Sequence, residues 1–181
     1  MDEALPENTI IVDEAVRASG YVKQHYRQAG PSRYYYYDGG ALGWGIGMAV
    51  GIQMALPNQR VVAVVGDGAA LFGIHALWTA ARRELPIIVV VLDNRSYAAV
   101  VAALVDYKGD AFKKGIYPGC DMEGIDFLAL ASGFGVQGRS VIRPAELEPA
   151  LRWALDAKGP ALVHVRTDPS DLGPGHPGRP N

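Results

Sequence analysis

Val61-Val62-Ala63-Val64-Val65-Gly66-Asp67-Gly68-Ala69-Ala70 decides the fold. Its first five residues are apolar and mostly β-branched, and they read as a strand buried on both faces. The chain then turns through Gly-Asp-Gly into an Ala-rich, helix-prone segment. A carboxylate is therefore fixed where a buried strand meets a helix start. A second apolar strand, Ile87 to Leu92, runs into Asp93-Asn94-Arg95-Ser96, and Asn94 lies 27 positions after Asp67. If the two strands are parallel neighbours, Asp67 and Asn94 stand side by side at the carboxyl edge of the sheet. Ligands of open α/β sheets bind at that edge.

Reading outward, Thr9 to Val12 is a short first strand, and Asp13 is placed to cap a helix reaching about Gln28. Gly30-Pro31 ends that helix, and Tyr34 to Tyr37 favours a strand. Gly39 to Gly47 is too glycine-rich for an ordinary helix start, which suggests a close approach by the backbone there. A helix from about Ile46 to Leu56 follows. Another is expected from Ala69 to about Arg83, and a third over Tyr97 to Val105. Asp106 to Glu123 lacks a clear element and reads as a functional loop. A helix over Asp126 to Ser132, a strand over Val136 to Val141, a helix opened by Pro144 and a last strand over Ala161 to Arg166 complete the order. Strands alternating with helices predict an α/β, doubly wound, mainly parallel sheet with helices on both faces.

The chain has 181 residues, 49% of them hydrophobic, and a formal net charge of −2. It fits one domain, residues 1–168, followed by a Pro/Gly-rich segment, 169–181, that reads as a flexible tail. No charge excess recruits nucleic acid. Tyr34 to Tyr37 has no basic groove beside it and reads as a strand with alternating faces rather than a base-stacking platform. No apolar run approaches the ~18 residues of a membrane span. The acidic N-terminus lacks a secretory core. With Cys120 as the lone cysteine, a cytoplasmic setting is the default expectation.

Gly-Asp-Gly followed by about two dozen residues and an Asn resembles the cofactor fingerprint of thiamine diphosphate-dependent 2-oxo acid decarboxylases and acetolactate synthases. Gly39-Gly40-Ala41-Leu42-Gly43, Ala76 to Ala81, Gly124-Ile125-Asp126-Phe127 and Gly135-Val136-Gln137 extend the likeness to the C-terminal, diphosphate-binding domain, from about Asn8 to Thr167. The resemblance implies Mg²⁺ held by Asp67, Asn94 and the Ser96 carbonyl. Oxygen ligands of this kind suit an octahedral ion with Mg–O distances of about 2.1 Å. Without the cation, Asp67 beside a diphosphate would be repulsive. Gly66, Gly68 and Ala69 would approach the phosphates, aided by free amides at a helix start. Gly40 would offer its carbonyl to the aminopyrimidine, and Leu42 would sit under the bent cofactor. Tyr97 would cover the diphosphate or simply pack at the helix start. Asp93 reads as a surface or capping residue, and His75 and His164 as structural. Where the family carries small hydroxyl residues after the position of Glu14, this chain has Ala15-Val16-Arg17, so those hydrogen bonds are absent or replaced by Arg17.

The resemblance also implies what the matched region lacks. The glutamate that protonates the aminopyrimidine belongs to a separate pyrimidine-binding domain, and no catalytic residue is assigned within this chain. The expectation is a split-enzyme subunit or a piece of a longer protein. It should require a pyrimidine-binding partner, form a homo-oligomer and act on a small 2-oxo acid. A carboligase half and a non-catalytic remnant are the rival readings. A dinucleotide-binding domain is disfavoured because no GxGxxG follows the first strand.

Overall fold

The computed structural model describes residues 4–26, 32–36 and 39–174. Six strands form one sheet: β1 (Ile10–Glu14), β2 (Tyr34–Tyr36), β3 (Val61–Gly66), β4 (Ile88–Asp93), β5 (Gln137–Val141) and β6 (Ala161–Arg166). Every pairing is parallel, in the spatial order β2-β1-β3-β4-β6-β5. From β1 the chain moves outward to β2 and then crosses back to β3, so the order reverses between β1 and β3. Crevices in doubly wound sheets open at such a reversal.

Two apolar layers enclose the sheet, as its unbroken valine runs require. One face carries α2 (Trp44–Ala55), α3 (Asp67–Gly73), α4 (Ala76–Arg82) and α7 (Phe127–Gly133), which bury Ile46, Ala49, Leu77 and Phe127 against Val12, Val65 and Val89. The other carries α1 (Ser19–His25) and α8 (Leu147–Asp156), with Val22, Leu151 and Ala154 on Ile11, Val64 and Val90. A smaller cluster joins α5 (Ala98–Tyr107) to Cys120 and Leu172.

Several expectations shift. Asp13 belongs to β1 and caps no helix. A 3₁₀ turn over Val16–Ala18 precedes α1. Its carboxylate instead accepts from the Ala15 amide and the Ser19 hydroxyl, each at 2.8 Å, and from the Tyr34 hydroxyl. Gln28, Gly30-Pro31 and Tyr37 lie outside the described residues. The helix expected from Ala69 to Arg83 is two helices, broken at Ile74-His75. The loop at 106–123 contains the end of α5 and the short α6 (Asp110–Lys114). It folds back on the end of β4 through Tyr97 N–H to Cys120 O and Met122 N–H to Arg95 O, both 2.9 Å. The segment expected to be a free tail from 169 begins packed: Leu172 is fully buried. Residues 175–181 lie outside the description.

The break after Gly73 has a steric cause. A Cβ on Gly73 would lie 2.3 Å from the Gly43 carbonyl oxygen, and Gly43 itself sits at φ +92° with a Cβ position 2.7 Å from Phe72 Cβ. The start of α2 therefore packs glycine to glycine on the end of α3. Gly73→Ala should lower stability by roughly 1–3 kcal/mol through overpacking. Gly47→Ala, in α2 with open space around its Cβ position, should raise it by about 0.5–1 kcal/mol. Chemical denaturation of the two variants measures both, and equal effects would refute the packing account.

Candidate cofactor site

A cavity of about 330 Å³ opens at the carboxyl edge where the sheet order reverses. Four connections line it: Ala15–Ala18 after β1, Gly66–Ala69 after β3, Asn94 to Val100 after β4, and Thr167 to Gly173 after β6. Of the predicted site residues, Leu42, Gly66, Asp67, Gly68, Ala69, Asn94, Ser96 and Tyr97 all line this space. Gly40 does not. It lies exposed at φ +73°, two residues from Leu42. Tyr21, Val100, Asp168 and Asp171 also line the cavity without having been singled out in sequence. The signal for the last two was Leu172, an apolar residue inside a Pro/Gly-rich stretch.

The register Gly66↔Leu92 between β3 and β4 sets Asp67 opposite Asp93, with Asn94 one step on. Asp67 is buried. Its Oδ1 accepts from the Gly68 amide at 2.8 Å, so that amide is not free as expected. Its Oδ2 is buried with no hydrogen-bond partner. Burial pushes the Asp67 carboxyl up to about 6 against the Gly68 bond, and the neighbouring Asp93 carboxylate adds to the rise. The Asn94 side-chain oxygen accepts from the Ser96 amide at 3.0 Å, which turns the chain back over the strand end.

Asp93 is not a surface residue. It is 2% exposed and bonds His164 Nε2 at 2.8 Å, Arg166 at 3.1 Å and the Arg95 amide at 2.9 Å. Burial alone would raise its carboxyl, but the His164 and Arg95 bonds outweigh that and hold it below the usual range. Of the two neighbouring carboxyls, Asp67 is thus the one pushed up and Asp93 the one held down. His164 also lies 3.3 Å from the Ser140 hydroxyl.

Glycine at 68 serves a neighbour. A Cβ there would meet the Tyr97 ring at 2.6 Å, with Met122 sulfur at 3.5 Å. At Gly66 the nearest atom is the Ala15 carbonyl oxygen at 3.8 Å, so space remains on the cavity side. Tyr97 thus packs directly over the Gly-Asp-Gly turn.

Glu14 fixes the glycine-rich segment. It is 4% exposed, and its carboxylate accepts from the amides of Gly43, Trp44 and Gly45 at 2.5, 3.3 and 2.7 Å. These are orphan donors of the α2 N-terminus, and their capture starts α2 at Trp44 rather than Ile46. Burial raises the Glu14 carboxyl despite those three bonds. A carboxyl raised on folding makes the native state bind more protons, so its contribution falls as pH climbs from the ordinary value of 4.5 through the folded one. Melting temperatures of the parent and Glu14→Gln, measured across that range, should move in favour of the variant as pH rises. A pH-independent difference would contradict the assignment.

Residues 15–165 match the family described as thiamine pyrophosphate enzyme, C-terminal TPP binding domain. Benzoylformate decarboxylase of Pseudomonas aeruginosa is 36% identical over 169 residues, 92% of this chain and 31% of that protein. Acetolactate synthase isozyme 2 large subunit of Escherichia coli is 30% identical and matches 93% of this chain and 30% of its own length. The solved thiamine diphosphate-dependent 4-hydroxybenzoylformate decarboxylase of Rhodococcus jostii RHA1 superposes with a TM-score of 0.83 at 35% identity, over 92% of this chain and 31% of that one. The chain thus spans about a third of the length of the relatives it matches. It belongs to the C-terminal TPP-binding domain family of thiamine pyrophosphate enzymes.

Proposed function

We propose that this chain is the diphosphate-binding part of a Mg²⁺–thiamine diphosphate-dependent decarboxylase acting on a small 2-oxo acid, of the benzoylformate decarboxylase kind. The observation that carries the reading is the buried, unpartnered Oδ2 of Asp67, on a cavity also lined by Asn94 and Ser96. A buried carboxylate oxygen without a donor costs free energy unless a cation or proton meets it. A hard oxygen set of one carboxylate, one carboxamide and one carbonyl suits Mg²⁺ and leaves positions for phosphate oxygens and water.

When bound, thiamine diphosphate supplies the electron sink for decarboxylation. The chain's own residues hold and orient it. Asp67, Asn94 and the Ser96 carbonyl would ligate the metal. The bare backbone at Gly66 would leave room for the phosphates, Tyr97 shields the turn, and Leu42, with the Gly40 carbonyl beyond it, would support the cofactor. The benzoylformate decarboxylase likeness favours an aromatic or other small 2-oxo acid. The acetolactate synthase likeness keeps carboligation as the second reading. Aldehyde against acyloin among the products separates the two.

The remaining machinery comes from a pyrimidine-binding domain. Leu42, Met54, Phe72 and Trp78 are exposed apolar residues on or beside α2–α4, a surface suited to such a partner or to a second copy of this chain. Sedimentation should therefore show self-association at high micromolar concentration, and a strict monomer would count against it. No helix among the described residues is long and apolar enough to cross a membrane, in keeping with the cytoplasmic setting we propose.

Asp67→Ala should abolish Mg²⁺-dependent cofactor binding while the fold survives, because it removes a charged ligand and no core contact. Undiminished binding, read by calorimetry, would refute the site. Catalysis should be negligible for the chain alone with cofactor and Mg²⁺, and should appear on addition of a matching pyrimidine-binding chain. Substantial CO₂ release from benzoylformate or pyruvate by the chain alone would overturn the half-site reading.

A further inference from the structure

We propose that Arg17 binds the diphosphate in this chain, held in place by the C-terminal segment Asp168–Gly173. The assignment rests on the diphosphate reading of the cavity. The register Glu14↔Val65 between β1 and β3 brings the residues after both strands to the same edge. Arg17 and the Gly-Asp-Gly turn accordingly line one cavity from neighbouring strands.

Charge singles Arg17 out. It is the one lysine or arginine among the cavity-lining residues, against three carboxylates, Asp67, Asp168 and Asp171. The last two are already engaged: Asp168 by the amide and hydroxyl of Ser170, Asp171 by the Gly173 amide and the Tyr21 hydroxyl. A cation at Asp67 alone leaves a diphosphate facing two further carboxylates. The Arg17 guanidinium on the same cavity offsets them, and its planar fork matches two phosphate oxygens at once.

The side chain is also held. Its Nε donates to the Leu172 carbonyl at 2.5 Å, and Leu172 is anchored by complete burial. Gly173 packs so closely that a Cβ there would meet the Arg17 carbonyl oxygen at 2.7 Å and its Nε at 3.1 Å. The two terminal nitrogens have no hydrogen-bond partner among the described residues. The backbone that presents Arg17 is strained: Val16, β-branched, sits at φ +54° although 40% exposed. Such a conformation persists only when its surroundings impose it. Asp13 brackets it here by accepting from the Ala15 amide and the Ser19 hydroxyl on either side.

Calorimetry on the full chain tests the assignment with three probes: Mg²⁺ with thiamine diphosphate, Mg²⁺ with inorganic pyrophosphate, and thiamine alone. Arg17→Gln should raise Kd for both phosphate probes by roughly tenfold or more, as expected for losing charge-assisted bonds. Arg17→Lys should recover part of the loss, thiamine binding should not change, and circular dichroism should show an intact fold. Phosphate-probe Kd values within about twofold of the parent's, or an equal loss for thiamine, would overturn the role. If Asp67→Ala weakens binding while Arg17→Gln does not, only the Arg17 assignment falls. If the parent binds neither phosphate probe, the diphosphate reading falls and takes this assignment with it.

Discussion

Four carboxylates are buried at or just beyond the carboxyl ends of three adjacent strands, and the site depends on how each is compensated. Asp13, Glu14, Asp67 and Asp93 are all at most 5% exposed. Burial of an ionised carboxylate costs several kcal/mol unless donors replace its water. The chain supplies those donors to three of the four. Asp13 takes an amide and two hydroxyls, Glu14 takes the N-terminus of α2, and Asp93 takes His164, Arg166 and an amide. Asp67 alone keeps an oxygen without a hydrogen-bond partner, and the residue lines the cavity at the sheet's reversal point. The compensation missing inside the protein is what a bound divalent cation would provide.

The compensated carboxylates do structural work for the uncompensated one. Glu14 fixes where α2 begins and hence where Leu42 meets the cavity. Asp13 locks the strained turn that carries Arg17. Asp93, tied to β6 through His164 and Arg166, is held below the usual carboxyl range, and its negative charge beside Asp67 adds to the rise that burial causes there. The segment at 168–173 lines one side of the cavity, and the loop at 106–123 packs Cys120 and Met122 beside Tyr97 and Gly68, so residues distant in sequence shield a short Gly-Asp-Gly turn.

The strands were legible because a valine run buried on both faces leaves no competing period. The placing of Asp67 and Asn94 at one sheet edge followed from two such strands and their spacing, although the register sets Asp93, not Asn94, opposite Asp67. Contacts made across long sequence separations were not legible. Asp93 looked like a surface residue because its partner His164 lies 71 positions away. Glu14 showed no sign of capping α2, whose first amides come 29 to 31 residues later. The division of the 69–83 helix depended on Gly43 touching Gly73, a packing fact with Gly73 as its sole local hint. The C-terminal segment looked free by composition, yet one leucine suffices to anchor it in the α5 cluster.

The central claim is that a divalent cation bridges Asp67 and a diphosphate in this cavity. Electron–nuclear double resonance with Mn²⁺ in place of Mg²⁺ and thiamine diphosphate bound measures that bridge directly. The account predicts ³¹P hyperfine coupling to the bound Mn²⁺ in the parent chain, lost together with the bound ion in Asp67→Asn. Bound Mn²⁺ without phosphorus coupling, or coupling that persists unchanged in Asp67→Asn, would contradict it.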